Sequence, residues 1–583
     1  MVEGSSSFGH QDSDRQTTMA TATIKKKQSG LGTAAADGLP VARKRSVSIE
    51  QAIAIVGEFG LAQKLQILLC ALTQAAAALI TVHVVLSATF LSSEARSWLR
   101  CVDPSGSEAS KEAHTACNDV LSESESSSSS LPSSSSSVGR LRSDVCGLPR
   151  AAWTYSGHGS LASDFDLLCG REWVLYLAMT MYFVGAAAGT VGFAVLAERN
   201  QRRSILNLGR VVAGLASMLI ATSPVLWLVL VFRFFLGVGV SLMTMAAYVL
   251  SYDVTGTSWR PYVAVFLQAG YSAGGAAGAF LVWLAPQWRV LGFVIGLVPI
   301  FMAVTTWKYL VESPSWLLFQ GRKGEATSAV ASLAFGNRTR PPDSPLADPV
   351  NMLANPRRKL VDIIKNGRLL RRTVLVGFAW VAVTVTYFGV LASYDAIGSM
   401  YTPSSGAELA FTGFLYELVG VAVAALAVDG VSWVGVTRAR CAAAFTGATA
   451  VAMFAGAFSL LGGTSQDFRW FKWCTVASRL GAAGSMVTVL VLAWEAYPSI
   501  VAYSGVWLLH ALSSALVASA PWLAFSAYLL RSAFVEWITL ASLCGGACVA
   551  ILLFDGAATR RFVTIQEEDE DEERQLTMTI LTA

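Results

Sequence analysis

A chain of 583 residues could hold several soluble domains, but 54% of it is hydrophobic and only 14% charged, which excludes an ordinary soluble protein and points to a polytopic membrane protein. The net charge of +4 is too small and too scattered for a nucleic-acid-binding domain. The partner these totals imply is a lipid bilayer.

Residues 1–48 read as a disordered cytosolic tail, polar, without apolar periodicity, and basic at Lys25–Lys27 and Arg43–Arg45. Its last stretch, Arg43-Lys44-Arg45-Ser46-Val47-Ser48, suits a phosphorylation site, a lipid-binding patch or a merely solvated tail. Ile49, Ile53, Val56 and Leu61 then recur at roughly helical spacing and predict an interfacial lead-in helix. The first apolar run, at 65–91, begins too late for a cleavable signal.

Residues 92–171 leave the membrane as an outer loop carrying Cys101, Cys117, Cys146 and Cys169. Four cysteines in one polar stretch suit disulfides in an oxidising compartment, with three pairings open, or else four free thiols. The serine tract Ser126–Ser137, broken by Leu131 and Pro132, reads as a low-complexity insert looping out from a cysteine-braced base.

Eleven further apolar runs follow, at 173–196, 205–222, 225–250, 262–284, 289–310, 372–393, 408–428, 441–461, 472–493, 503–525 and 533–554, giving twelve spans. Arg199, Arg202 and Arg203, then Arg260, then the basic connector with Arg322, Lys323, Arg357, Arg358, Lys359, Arg371 and Arg372, then Arg438 and Arg440, all fall on one side. The positive-inside rule therefore makes both termini cytosolic. The fold class is an all-α membrane protein: twelve transmembrane helices in two six-helix bundles, 49–310 and 372–556, joined by a cytosolic linker at 311–371 and followed by an acidic cytosolic tail at 557–583.

Two charges lie deep enough in these runs to require an explanation. Glu417 is the only charge among the twenty residues Leu409–Val428, which as a helix match the roughly 30 Å hydrocarbon core. An acid at mid-membrane must face a bundle interior, a watery cavity or a cation, and a cavity between the bundles is the expectation. Arg479, a third of the way into the tenth span, suits an ion pair with Glu417, substrate positioning or snorkelling. Trp380, Thr384 and Tyr387 share a face of the seventh span that could line the cavity, with packing as the plainer alternative. Gly270, Gly274 and Gly278 in the fifth span, and Gly185 and Gly189 in the second, recur every four residues and predict close helix contact. Asp253, Asp429 and Glu495 stand at cytosolic helix ends, as gate-closing partners between bundles or as solvated acids.

The stretch Val56-Gly57-Glu58-Phe59-Gly60 with Gln63-Lys64, His83 in the first span, Asp166-Leu167-Leu168-Cys169 before the second, and Glu312-Ser313-Pro314-Ser315-Trp316-Leu317-Leu318 after the sixth resemble the organic cation, anion and zwitterion transporter family of the major facilitator superfamily. The resemblance runs from about Ile49 to Ala557 and implies alternating-access transport of small organic ions or zwitterions. It implies that Glu417 is the acid of the cation-handling branch, that Trp380, Tyr387, Tyr248 and Gln268 line the cavity, and that Arg479 is the family's arginine in the tenth span. Glu198, Arg202 and Arg203 match the superfamily's gating motif without its glycines, and Glu312 belongs to the same gating set. Glu495 and Pro498 keep the equivalent after the tenth span, where the usual downstream arginine is Ala502. Ser514 falls where cation-type relatives place an aspartate and anion-type relatives an arginine, which makes a zwitterion plausible.

The reading is thus a transporter of small organic cations or zwitterions, functional as a monomer, with the plasma membrane or else an internal membrane as its address. One alternative is a proton-coupled transporter of a neutral or anionic metabolite using Glu417, and another is a transporter-like sensor or scaffold. No catalytic motif such as His-Glu-x-x-His occurs, and no cofactor or metal is expected.

Overall fold

Apolar runs of 19 residues or more separated by charged connectors leave the backbone no way to satisfy itself in lipid except as helices. The computed structural model describes residues 46–87, 99–102, 108–129, 145–155, 159–285, 287–347, 363–401, 406–434, 436–462, 465–497, 499–530 and 532–558. Among them are twelve helices long and apolar enough to cross a membrane, one at each predicted span. The expectations for residues 1–45, for the serine tract beyond Ser129 and for the acidic tail lie outside the described residues.

The halves are built by contact within each set of six. In the first, the third span packs on the fourth and sixth, the first on the fifth and the second on the fourth. In the second, the ninth packs on the tenth and twelfth, the eighth on the tenth and the seventh on the twelfth. Two seams join the halves, where the fifth span meets the eighth and the second meets the eleventh. The eleventh is broken into Ser499–Val517 and Ala520–Leu529, with Pro521 in the first turn of the second segment, where its missing N–H costs nothing.

The glycine faces do as predicted. A Cβ on Gly274 would stand 2.1 Å from the Ala75 carbonyl oxygen of the first span, and one on Gly270 2.4 Å from that of Ala71. Gly185 and Gly189 lie against the backbone of Phe234 and Val238 of the fourth span in the same way. Both contacts lie inside the first half, so they brace a unit and do not lubricate motion between units.

Outside the spans the structure corrects two expectations. The lead-in helix Ile49–Val56 buries Ala52, Ile53 and Val56 against the connector helices Pro314–Phe319 and Lys323–Asn337, so protein covers its apolar face. Asn337 fixes this dock, accepting from the Ala62 N–H at 2.8 Å and donating to Val56 O at 3.2 Å and Gln63 Oε1 at 2.8 Å. Gly60 is obligatory there, since a Cβ would fall 2.2 Å from the Asn337 side chain. In the loop after the first span, Cys101 pairs with Cys117 and Cys146 with Cys169, beside a two-stranded sheet of β1 (Leu99–Cys101) and antiparallel β2 (Trp153–Tyr155). A helix, Glu108–Ser129, runs through Cys117 and takes up the first serines of the tract expected to be unfolded. Arg150, stacked on Trp153 and bonded to its carbonyl at 2.7 Å, tightens the base.

The glycine contacts give a direct test. Gly274→Leu should lower the thermal unfolding midpoint of the purified protein by several degrees, because overpacking against backbone costs about 1–3 kcal/mol. Gly192→Leu, whose Cβ would meet nothing within 4 Å, should leave the midpoint nearly unchanged. Equal shifts would refute the packing role.

Candidate substrate site at the seam between the halves

Glu417 lies at mid-helix in Gly406–Val434 and is 0% exposed. Its Oε2 accepts from Tyr387 of the seventh span at 2.7 Å and from Ser272 of the fifth at 2.9 Å, and its Oε1 pairs with Nη2 of Arg479. Arg479, also fully buried, donates through Nη1 to the Tyr387 carbonyl at 2.7 Å. Three rings surround the guanidinium: Tyr387 at 4.3 Å, Phe414 at 5.1 Å and Tyr394 at 5.6 Å. Of the three roles open to Arg479, the structure shows the ion pair.

Small residues make room for this cluster. A Cβ on Gly413 would come 2.3 Å from the Tyr394 hydroxyl, one on Gly420 2.2 Å from the Leu480 carbonyl oxygen, and one on Gly275 2.3 Å from the Phe414 ring. The last contact crosses the seam, as does the bond from Ser272. Glu417 is fully buried among these partners, and two cavities among the described residues lie away from it, one of about 50 Å³ by His83 and Trp288, the other by Val428 and Arg438. A carboxylate with a guanidinium and two hydroxyls on it can rest in a dry, packed seam.

The remaining cavity candidates divide. Gln268 is buried beside Tyr387 with its Nε2 short of a hydrogen bond. Trp380 is buried, meets His510 of the eleventh span edge-on at 4.8 Å, and leaves its indole N–H without a partner. Thr384 turns back onto the Trp380 carbonyl at 2.8 Å. Tyr248 is half-buried and packs against two apolar clusters, each drawing residues from both halves. Ser514 sits on the other seam, 3.4 Å from Thr190 of the second span, which itself bonds Ser241 of the fourth at 2.7 Å.

The gating candidates are engaged differently from expectation. Asp253 accepts from the hydroxyls of Ser313 and of Tyr503 in the eleventh span, so it joins the halves without an ion pair. Beside it, Tyr252 stacks on Trp494 of the tenth span at 4.4 Å, and Trp494 meets Tyr503 at 5.3 Å. Glu495 pairs with Arg438, and Arg440 with Asp555 at 3.0 Å, both within the second half, so Glu495 does not bridge the bundles. Glu312 accepts from the backbone N–H groups of Arg202 at 2.9 Å and Arg203 at 3.1 Å, capping the third span where the helix dipole favours an anion. Burial pushes its carboxyl above the ordinary range, while those N–H bonds, that of Ser313 and the Arg202 charge pull the other way. The guanidinium of Arg202 goes to the Ala197 carbonyl and the face of Trp316, and that of Arg203 to the Leu310 carbonyl and Trp307. The Glu198 side chain is exposed, and only its backbone oxygen is used, by Gln320 at 2.7 Å. Asp429 is helical, with its side chain outside the described residues. Toward the disulfide-bearing end Tyr176 meets Phe525 at 4.9 Å, and deeper, beside Tyr387, Phe183 meets Phe388 at 5.4 Å, so rings join the halves on that side of the ion pair.

The sequence reading passed over Ser272 and, inside the apolar runs, three more buried charges, Arg210, Arg233 and Glu536, besides Asp555 just past the last run. Arg210 is held by Asn207, Thr306 and Thr73, and Arg233 by Ser87. Each stands in an apolar run, so the rule that singled out Glu417 would have found them. Ser272 carries no signal, because a lone serine in a glycine-rich helix reads as one more small residue.

Twelve spans in two halves that meet at a buried ion pair define a multi-pass membrane protein of the two-bundle type. The sequence pattern of the Major Facilitator Superfamily matches residues 172–519, and the chain belongs to that family. It is 26% identical over 367 residues to solute carrier family 22 member 1 of Oryctolagus cuniculus, covering 62% of this chain and 63% of that protein. It is 26% identical over 254 residues to the human solute carrier family 22 member 2, 43% of this chain and 45% of the relative. Against organic cation/carnitine transporter 2 of Arabidopsis thaliana it is 31% identical over 197 residues, 33% of this chain and 37% of that one. The matched stretch thus spans less than two thirds of each of these relatives. Among solved structures, the xylose transporter XylE from E. coli in a partially occluded inward-open conformation superposes with a TM-score of 0.52 at 14% identity, over 84% of this chain and 98% of that one. The human organic anion transporter MFSD10 gives 0.50 at 13% identity, over 83% and 99%. At these identities the likeness establishes the fold alone.

The capping role of Glu312 is open to measurement. Glu312→Gln should lower stability by about 0.5–2 kcal/mol, the usual cost of losing a helix cap, and Glu198→Gln should change it by no more than about 0.5 kcal/mol. Thermal unfolding of the purified variants decides, and equal effects would contradict the assignment.

Proposed function

We propose that the protein carries small organic cations or zwitterions across a membrane, in all expectation the plasma membrane, by alternating access. The two halves, 49–310 and 372–556, rock about the seam, and both termini stay cytosolic. The observation that carries this reading is the buried Glu417–Arg479 pair, roofed by Tyr387, Tyr394 and Phe414 and tied across the seam by Ser272. An incoming ammonium group carries the same charge as the guanidinium it would displace from Glu417, and the rings offer it π-faces worth about 0.5–2 kcal/mol each. Arg479, once released, can receive the carboxylate of a zwitterion. With a zwitterion bound, its two charges meet Glu417 and Arg479 and the seam stays neutral while the halves are freed to part. The printed name of the Arabidopsis relative, an organic cation/carnitine transporter, agrees with this substrate class.

The alternative in which Glu417 takes up protons for coupling fits less well, because its two oxygens already receive Arg479, Tyr387 and Ser272.

Uptake of labelled tetraethylammonium, choline and carnitine into proteoliposomes tests the proposal. Glu417→Gln should cut uptake of the transported compound about tenfold or more, equivalent to about 1.4 kcal/mol or more. Tyr387→Phe, which loses one hydroxyl and keeps the ring, should weaken apparent affinity by about 0.5–1.5 kcal/mol. Wild-type uptake unaffected by Glu417→Gln would rule the carboxylate out as the recognition group.

A further inference from the structure

The second half buries two membrane-embedded acids and satisfies them in opposite ways. Glu417 receives donors from three other helices, one of them a guanidinium. Glu536, in the first turn of the twelfth span, is 1% exposed and touches one polar group, the Ser393 hydroxyl of the seventh span. Its second oxygen, Oε2, has no hydrogen-bond partner. Ser393 has a single hydroxyl proton but two acceptors before it, the Gly389 carbonyl at 2.7 Å and Glu536 Oε1. A carbonyl has no proton to offer. If the hydroxyl proton goes to Gly389, the contact with Glu536 is a hydrogen bond only when the carboxyl group supplies the proton.

The charged and titratable groups around it offer no substitute for that proton. The twelfth span packs on the seventh, the ninth and the second segment of the eleventh. On the ninth, Arg438 and Arg440 stand in the first turn, engaged with Glu495 and Asp555. On the seventh, Arg368, Arg371 and Arg372 lie at the start of the helix, about six turns from Ser393. Tyr394 turns toward Arg479, and Cys544, on Glu536's own helix, donates to Thr386. On the eleventh, Tyr528 packs its ring against Phe525. Asp467, Arg469 and Lys472 open the tenth span, whose Phe471 packs on Trp537, and the structure shows no bond from any of them to Glu536. The side chains of Asp395 and Arg531 lie outside the described residues. A bare carboxylate in such a place would cost several kcal/mol, which a bound proton removes.

We propose that Glu536 is a proton-binding site: its carboxyl group holds a proton while the seventh and twelfth spans are packed, and exchanges it with water when the disulfide-bearing end of the seam opens. The link to opening is structural. Phe388, which meets Phe183 across the seam, lies five residues before Ser393 on the same helix, and Ser393 is the nearer of the two to the disulfide-bearing end. This rests on the transport reading for its place in a cycle, but not for the protonation itself.

Two measurements on the full-length protein test it. In infrared spectra of the protein in lipid nanodiscs, a protonated-carboxyl C=O band should be present in wild type, absent in Glu536→Gln and shifted in Ser393→Ala, which removes the partner hydroxyl. Identical spectra in wild type and Glu536→Gln, or no such band in wild type, would overturn the site, and the wild-type and Ser393→Ala spectra suffice should the first variant fail to fold. In proteoliposomes, wild-type uptake of labelled tetraethylammonium should change with outside pH, and Glu536→Gln should lose that dependence. The same pH profile in both would overturn the coupling. Should wild type move none of this probe, the transport reading suffers, while the infrared result still decides the site.

Discussion

Two opposite charges at the middle of a membrane protein constrain nearly everything around them. Alone, Glu417 or Arg479 would leave an uncompensated ion in a medium with almost no screening. Together, bonded also to Ser272 and to the hydroxyl and carbonyl of Tyr387, they form a neutral polar knot that a packed seam can hold. Gly413, Gly420 and Gly275 are where they are because this knot and its rings need the volume that side chains would occupy. Since Ser272 comes from the first half and the rest from the second, the knot is also a bolt, and whatever competes for Glu417 loosens it.

Charge and aromaticity are distributed with a consistent logic. The described ion pairs Arg438–Glu495 and Arg440–Asp555 lie within the second half, and Glu312 of the connector caps the third span of the first. Contacts between the halves on either side of the ion pair are rings and hydroxyls: Tyr252 on Trp494, Tyr503 on Asp253, Phe183 on Phe388, Tyr176 on Phe525. Exposed ion pairs are individually weak, but as braces they fix helix ends that are already packed. Rings and hydroxyls across a seam can part into water without stranding a charge. The absence of an arginine at Ala502, noticed in the sequence, fits this arrangement, because Asp253 finds Tyr503 next to it and needs no cation.

How far the sequence could be read depended on how local the signal was. All twelve spans were legible because hydrophobic length is a property of a single run. Glu417 and Arg479 stood out because a charge is anomalous in lipid, and Tyr387 because it shares a helix face with Trp380 and Thr384. The glycine repeats gave helix contact correctly, but not that the partners were the first and fourth spans, since spacing records a face and not what it meets. Which donors the gating acids meet was not legible: Glu312 takes the backbone N–H groups of Arg202 and Arg203, and Asp253 the hydroxyls of Ser313 and Tyr503. The pairing of Cys101 with Cys117 and Cys146 with Cys169 was one of three connectivities that only the fold could separate.

The central claim is that Glu417 and Arg479 are stable in the seam only as a pair, and a double-mutant cycle on thermal stability tests it most directly. Glu417→Gln and Arg479→Gln, made separately, each strand one buried charge and should each destabilise the purified protein by about 3–5 kcal/mol. The double variant, with no charge left to strand, should be more stable than either single one. If instead the two losses simply add, the residues do not depend on one another and the account fails.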